Sequence, residues 1–307
     1  MIEFQNVRAS YGAREVLQGV SFRIAPGELV ALVGTNGAGK STAMRMVNGL
    51  VRPTGGRVMV GGVDAGRAKV SQLARTVGFL FQNPDRQICC STARDELLFG
   101  LRACGADDEE AARRVDDAIE RFGFRADADP FLLNRGARQM LALAAVTVLH
   151  PAVLVLDEPT TGLDFRECER VMEVVGRLSA AGCTVMMVCH DMEVVADHAP
   201  RTIVLHEGLV LADGPTFQVL RDRDVMQRAS LVPPQVVAIS QQMARDLPQV
   251  ADGPVGCANT VDQLVDAVAC AAASSLGARR CADARTAPGS SVGCADRVFE
   301  QGKEGLR

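Results

Sequence analysis

The chain has 307 residues, 48% of them apolar, which is enough for one large domain with an appendage or for two small ones, and either buries a sizeable core. Its 33 Lys and Arg are scattered against 37 Asp and Glu, and the net charge of -4 argues against a generally basic nucleic-acid binder. The longest apolar run, Met140 to Leu149, is shorter than a bilayer span and precedes His150-Pro151, so no transmembrane helix is expected.

The first residues, Ile2-Glu3-Phe4-Gln5-Asn6, have neither the basic nor the apolar region of a secretory leader, and a cytosolic chain is expected. Ile2 to Ala9 and Val16 to Ile24 alternate loosely in hydrophobicity, which predicts two strands of an antiparallel edge sheet joined by a turn at Tyr11-Gly12-Ala13. Glu28 to Val33 reads as a buried parallel strand and Ser41 to Leu50 as a helix. Between them, Gly34-Thr35-Asn36-Gly37-Ala38-Gly39-Lys40-Ser41-Thr42 fits the phosphate-binding pattern G-x-x-x-x-G-K-[ST]. Its glycines let the backbone close around an anion with N–H groups inward, and the helix N-terminus adds a favourable dipole. Lys40 is then expected to reach the outer phosphates, Ser41 to ligate Mg2+ through its hydroxyl, and Thr42 to support the loop from the first helical turn.

Further on, Pro53-Thr54-Gly55-Gly56 and Gly61-Gly62 are turns around a short strand from Arg57 to Val60, and Val77 to Phe81 leads into Gln82-Asn83-Pro84-Asp85. From Thr92 to about Phe122 the pattern turns helical, with Leu97, Leu98, Leu101, Val115, Ile119 and Phe122 on one face. A helical subdomain over about 85–150 is expected, ending in an apolar helix from Gln139 to Leu149. Val153 to Leu156 is a second buried strand that ends in Asp157-Glu158. A rigid strand end near a phosphate loop projects the first carboxylate toward a metal shell and the second toward an attacking water. A helix from Arg166 to Ala181 and a strand from Thr184 to Cys189, followed by His190-Asp191, continue the strand-helix series and predict a parallel α/β sheet.

Arg201 to Leu205 and Leu209 to Ala212 read as a hairpin, Pro215 to Leu220 as a short helix, and the main domain is placed at 1–223. Val232-Pro233-Pro234 marks a boundary within a small extension, 224–273, with helices at Gln235 to Asp246 and Val261 to Ala273. Residues 274–307, rich in Ala, Gly, Ser and Arg, are expected to be a loose tail. The ten cysteines form no C-x-x-C pair and are expected to be reduced. Cys89-Cys90 and Cys189-His190 lack a second pair at metal spacing, so no metal site is expected there.

Taken together, these segments resemble an ATP-binding cassette (ABC) ATPase over roughly residues 1–223. The resemblance implies an α/β P-loop NTPase fold of ABC type: a mainly parallel sheet core, an antiparallel β edge subdomain, a helical subdomain and a short C-terminal extension. It implies ATP and Mg2+ as the bound species, with Gly34 to Thr42 as the phosphate loop and Gln82 as the Q-loop glutamine, near both the metal and the reacting water. Asp157 becomes the metal-side aspartate, Glu158 the catalytic base, Thr161 to Asp164 the D-loop and His190 the switch histidine, with Asp164 near nucleotide. Tyr11 falls where such proteins stack an aromatic ring on adenine.

The signature loop, usually Leu-Ser-Gly-Gly-Gln, reads here Leu133-Asn134-Arg135-Gly136-Ala137. In an ABC dimer it touches the γ-phosphate bound by the other subunit, a role that falls to Asn134 and Gly136, while Ala137 lacks a polar side chain.

A narrower resemblance lies in Phe81 to Ile88 followed by Thr92 to Gly100, and in Pro233-Pro234-Gln235, which are similar to energy-coupling factor (ECF) transporter ATPases. That resemblance implies a peripheral subunit on the cytoplasmic face of the membrane, energising uptake of a vitamin or of cobalt or nickel. Its implied partners are a second ABC ATPase, a transmembrane scaffold and a separate substrate-binding membrane protein, without nucleic acid. The altered signature loop beside an otherwise intact motif set favours a heterodimer over a homodimer. Gln82 and the helix from Thr92 are expected to line the groove for the scaffold's coupling helix, with Asp95 and Glu96 pairing an arginine on it. Two other readings are a soluble ABC ATPase acting on ribosomes or nucleic acid, and a weakly hydrolysing regulatory subunit. The single phosphate loop and lack of a basic face count against the first, and intact Glu158 and His190 against the second.

Overall fold

In the computed structural model, residues 1–247 and 253–272 are described. The expected loose tail at 274–307, and Ala273 at the end of the expected last helix, lie outside these residues.

Alternation in the first two strands becomes a buried face. β1 (Ile2–Tyr11) and β2 (Arg14–Ile24) pair antiparallel from Ile2 opposite Ile24 to Tyr11 opposite Arg14, so the turn narrows to Gly12-Ala13. Ile2, Phe4 and Val7 on β1 and Leu17, Val20 and Ile24 on β2 are buried, and the rings of Phe4 and Phe22 stack at 4.4 Å. β3 (Leu29–Val33) leads into α1 (Lys40–Val47). β4 (Gly55–Val60) and β5 (Val63–Asp64) then complete a four-stranded antiparallel sheet in the order β2-β1-β4-β5.

The second sheet carries the nucleotide motifs. After α2 (Val70–Leu73) come β6 (Val77–Leu80), then α3 (Ala93–Ala103), α4 (Asp108–Phe122) and α5 (Arg135–Thr147) of the helical subdomain. β7 (Val153–Asp157), α6 (Phe165–Ala180), β8 (Thr184–Val188) and α7 (Met192–His198) follow, then β9 (Arg201–His206) and β10 (Leu209–Pro215). The six strands run β10-β9-β3-β8-β7-β6, parallel except for the β9-β10 hairpin. All five residues of β3 and of β8 are buried, the continuous apolar reading of strands covered on both faces.

Several helix boundaries differ from the sequence expectation, including the end of α1 at Val47 rather than Leu50. The single stretch from Thr92 to Phe122 is broken between α3 and α4, where Gly105 adopts φ +80° and the Asp107 carboxylate accepts the N–H groups of Glu109 and Glu110. Leu97, Leu101, Ala111 and Val115 from the two helices share one core with Leu141, Leu143 and Ala144 of α5. α5 itself starts at Arg135 rather than Gln139, because Asn134 Oδ1 accepts the Ala137 N–H at 2.8 Å and caps it.

The first compact unit spans Met1–Gln235, past Arg223 where the sequence placed its end. α8 (Thr216–Arg221) and α9 (Arg223–Arg228) belong to it, with Leu220, Met226 and Ala229 buried in the main core. The second unit, from Val236, holds most of α10 (Gln235–Asp246), α11 (Pro254–Cys257) and a helix over 261–272.

Arg201 ties the first unit's two sheets together. Its guanidinium donates to both carboxylate oxygens of Asp213 (2.7 and 2.8 Å), to Glu28 Oε1 (2.9 Å) and to the Arg23 carbonyl (3.0 Å). Arg201→Ala is expected to lower the unfolding free energy by about 2 kcal/mol, read as a lower urea midpoint, because charge-assisted bonds are lost and Glu28 and Asp213 are stranded. Arg201→Lys should recover only part, since a lysine cannot reproduce the planar fork.

Candidate nucleotide site

Between β3 and α1 the glycine-rich segment closes on itself. Gly34 has φ +144°, and a Cβ there would strike the carbonyl oxygen of Leu205 on β9; at Gly39, φ +104°, it would strike the Leu17 side chain on β2. The loop is therefore pressed against both sheets. No side chain caps α1, so the first amides of this helix remain available to an anion.

Lys40 is only 6% exposed, and its Nζ donates to the carbonyls of Gly34 (2.7 Å) and Thr35 (3.0 Å). Burial lowers the Lys40 pKa, while the charges of Glu158 and then Asp157 act in the opposite direction. A buried ammonium at a bare helix N-terminus, in a loop that tolerates no Cβ at Gly34 or Gly39, fits a polyphosphate. Thr35 is half-buried, Asn36 and Gly37 are exposed, and the Ala38 N–H donates to Thr35 O at 3.1 Å. Ser41 is exposed on the first turn of α1, and Thr42 is buried. The oxygens offered by Ser41, Asp157 and Gln82 are the hard donors that suit Mg2+.

Tyr11, at the end of β1, is 53% exposed and lines a 360 Å³ cleft together with Arg14, the Gly39 to Thr42 segment, Glu158 and His190. It is thus a free ring face at the mouth of the phosphate loop, beside a guanidinium that the sequence reading had not included. The close spacing of Arg14 to Tyr11 across a two-residue turn was the available signal.

Three parallel strands deliver the acidic side of the cleft. Asp157 ends β7, and burial, then the Glu158 charge, raises its pKa. Glu158 takes φ +47°, uncommon for a residue with a side chain, with its N–H donating to Val188 O at 2.9 Å. Its Oε2 accepts from Gln82 Nε2 (2.6 Å) and Thr161 Oγ1 (3.0 Å), and His190 Nε2 lies 3.0 Å from Oε1. Gln82 follows β6, Glu158 follows β7 and His190 follows β8, so neighbouring carboxyl ends of one sheet assemble the group. A carboxylate fixed in this way can accept a proton from water while the imidazole and amide hold its orientation.

Asn134, Gly136 and Asp164 are not among the residues that line the Lys40 cleft. The exposed Asn134 caps α5, and a Cβ at buried Gly136 would run into the Glu167 carboxylate. Asp164 and Glu167 form a reciprocal capping box on α6, with Asp164 Oδ1 accepting from Glu167 N (2.8 Å) and Glu167 Oε2 from Asp164 N (3.2 Å). Arg135 joins this group to the D-loop by donating to Thr161 O at 2.9 Å. The sequence marks Thr161 only as a D-loop position, and its hydroxyl's bond to Glu158 is a product of the fold.

One docking expectation fails. Glu96 is 5% exposed, and its Oε2 accepts the N–H groups of Cys89 and Cys90 at 2.9 Å each, so it does not face a partner. Asp95 is bonded to the Thr92 hydroxyl at 2.6 Å, within the cap of α3. The described cysteines are all free, and no helix among the described residues is long and apolar enough to cross a membrane.

The ABC transporter family model matches residues 17–161. The chain is 38% identical over 249 residues to a putative ABC transporter ATP-binding protein of Caldanaerobacter subterraneus, covering 80% of this chain but 44% of that protein. It thus spans less than half of that relative's length. It is 35% identical over 236 residues to the energy-coupling factor transporter ATP-binding protein EcfA of Methanothermobacter thermautotrophicus, covering 75% of this chain and 76% of the relative. Among solved structures it resembles a protein of Clostridium perfringens described as part of the ABC transporter complex cbiONQ, with TM-score 0.67 and 27% identity, over 81% of this chain and 96% of the other.

Proposed function

The chain belongs to the ABC transporter ATP-binding family, and from that premise we propose that it binds and hydrolyses ATP to power a membrane importer of the ECF type. The observation that carries this reading is Glu158, held by Gln82, Thr161 and His190 beside a bare helix N-terminus and the buried Lys40. The Gly34 to Thr42 amides and Lys40 bind the phosphates, and the Tyr11 ring stacks on the adenine. Ser41, Asp157 and Gln82 would hold Mg2+, which would supply positive charge against the phosphate oxygens. Glu158 accepts the proton of the attacking water, and His190 keeps its carboxylate in place. Asn134, Gly136 and Asp164 complete the nucleotide site of a second ATPase, which explains their position away from the Lys40 cleft of their own chain.

Likeness to EcfA and to the cbiONQ subunit supports the importer assignment and, with it, a peripheral place on the cytoplasmic face, a transmembrane scaffold and a separate substrate-binding membrane protein. A vitamin or a transition-metal ion is the proposed cargo. The test is affinity purification of the tagged chain from detergent-solubilised membranes. Elution with a second ATPase and multi-spanning membrane proteins is expected. Recovery only from the soluble fraction, cosedimenting with ribosomes or nucleic acid, would replace the importer with a soluble ABC ATPase.

A further inference from the structure

The segment that leaves the Glu158 group, between Gln82 and α3, contains a second side-chain cluster. Among the described residues, Cys89, Cys90 and Glu96 bring three potential metal-ligating atoms within 4.8 Å of one another. The two sulfurs lie 4.0 Å apart. Two Zn–S bonds of about 2.3 Å at a tetrahedral angle place sulfurs about 3.8 Å apart, so the thiol pair already has nearly the bite of one zinc-type ion. The third donor is a carboxylate from the start of α3, so the cluster has no second cysteine pair along the sequence to signal it.

Glu96 also preorganises the loop. Its Oε2 receives both cysteine amides, and that holds the two side chains on a short irregular segment before α3. A carboxylate has lone pairs beyond these two bonds, and with only 5% exposure its charge gains from a nearby cation. Cys89 is exposed and Cys90 half-buried, so an ion can enter from solvent.

We propose that Cys89, Cys90 and Glu96 form a binding site for one thiophilic divalent cation of the zinc class, with its fourth position left to water or to a ligand from outside the chain. Bound here, the ion clamps the linker between Gln82 and α3 at both ends of its dithiol.

The test uses the full-length reduced chain, stripped with a chelator and titrated with Co2+, whose sulfur-to-cobalt charge-transfer band reports thiolate ligation, then with Zn2+ as competitor. The wild type is expected to take up one equivalent with that band. Cys89→Ser and Cys90→Ser should each weaken binding at least about tenfold while leaving ATP binding unchanged, and Glu96→Gln should weaken it by a similar factor. Cys104→Ser, at a thiol outside the cluster, serves as the control. If the two cysteine variants titrate like the wild type, or Cys104→Ser loses as much, the proposal is overturned. It is equally overturned if no band appears while thiol counting shows Cys89 and Cys90 reduced. Should Glu96→Gln fail to fold, the exposed Cys89→Ser still decides the matter.

Discussion

Lys40→Ala is expected to abolish high-affinity ATP binding, whereas Glu158→Gln is expected to leave binding intact and stop turnover. Lys40 is the buried cation of the phosphate loop, and in its absence the phosphate charge would enter a cleft lined by the Glu158 carboxylate, with the Asp157 charge close enough to act on Lys40 as well. Removing one partner of a desolvated charge pair costs about 2–5 kcal/mol, which corresponds to roughly a thirty-fold to several-thousand-fold loss in affinity. Glu158 acts on water, not on the phosphates, and glutamine keeps the shape and the hydrogen-bonding oxygen offered to Gln82 and Thr161. Only proton acceptance disappears, at a cost of about 10²–10⁴ in kcat. Equilibrium binding of a fluorescent ATP analogue and steady-state phosphate release separate the two, and equal loss of binding in both variants would contradict these roles. The pH dependence has a definite sign. Burial depresses the Lys40 pKa, so the ammonium is lost as pH rises through a lower value than that of an ordinary lysine, and wild-type ATP affinity falls on the alkaline side. Lys40→Ala should lack that limb.

The second large effect is a difference between two nucleotide sites. Within one chain Lys40, Glu158 and His190 line one cleft, while Asn134 and Gly136 lie at the start of α5, outside it. We expect a heterodimer in which the site built on this chain's Glu158 and the partner's signature loop is the faster. In the reciprocal site Asn134 Oδ1 accepts the Ala137 N–H, which leaves the Asn134 NH₂ as donor, and Ala137 has no polar side chain to add. Loss of one well-placed donor to transition-state charge costs about 10²–10³ in rate. With the co-purified pair, replacing this chain's Glu158 by Gln should therefore remove most ATP turnover, and the matching change in the partner only a small part. An equal effect of the two changes, or a fully active homodimer of this chain alone, would sink the asymmetry.

Much of the site was legible because its pieces are contiguous in sequence. Gly34 to Thr42 carries its own backbone requirements, and Asp157-Glu158 ends an apolar strand, so neither depends on distant neighbours for detection. Helix limits were harder. Asn134 is a cap through a bond to Ala137, but the charged Arg135 and Arg138 obscured the apolar pattern there, and the helix was recognised only from Gln139. α9 looked like the start of an appendage because burial of Met226 and Ala229 is a property of what they pack against.

The sequence by itself determined the alternation of strands and helices, the phosphate loop, the carboxylate pair and, with them, the class of chemistry. These are local properties, encoded by side-chain periodicity and by the φ that glycine permits. Only the tertiary structure decided what stands against what. Gln82 and Glu158 meet across 76 residues because β6 and β7 are parallel neighbours, and His190 joins them because β8 lies next in the sheet. The same holds for Glu96, which reads as an ordinary first-turn acid on α3 until the loop before it folds back and places two cysteine amides on its carboxylate. Strand order and loop return are set by the burial of the whole core, and no local stretch of the chain carries that information.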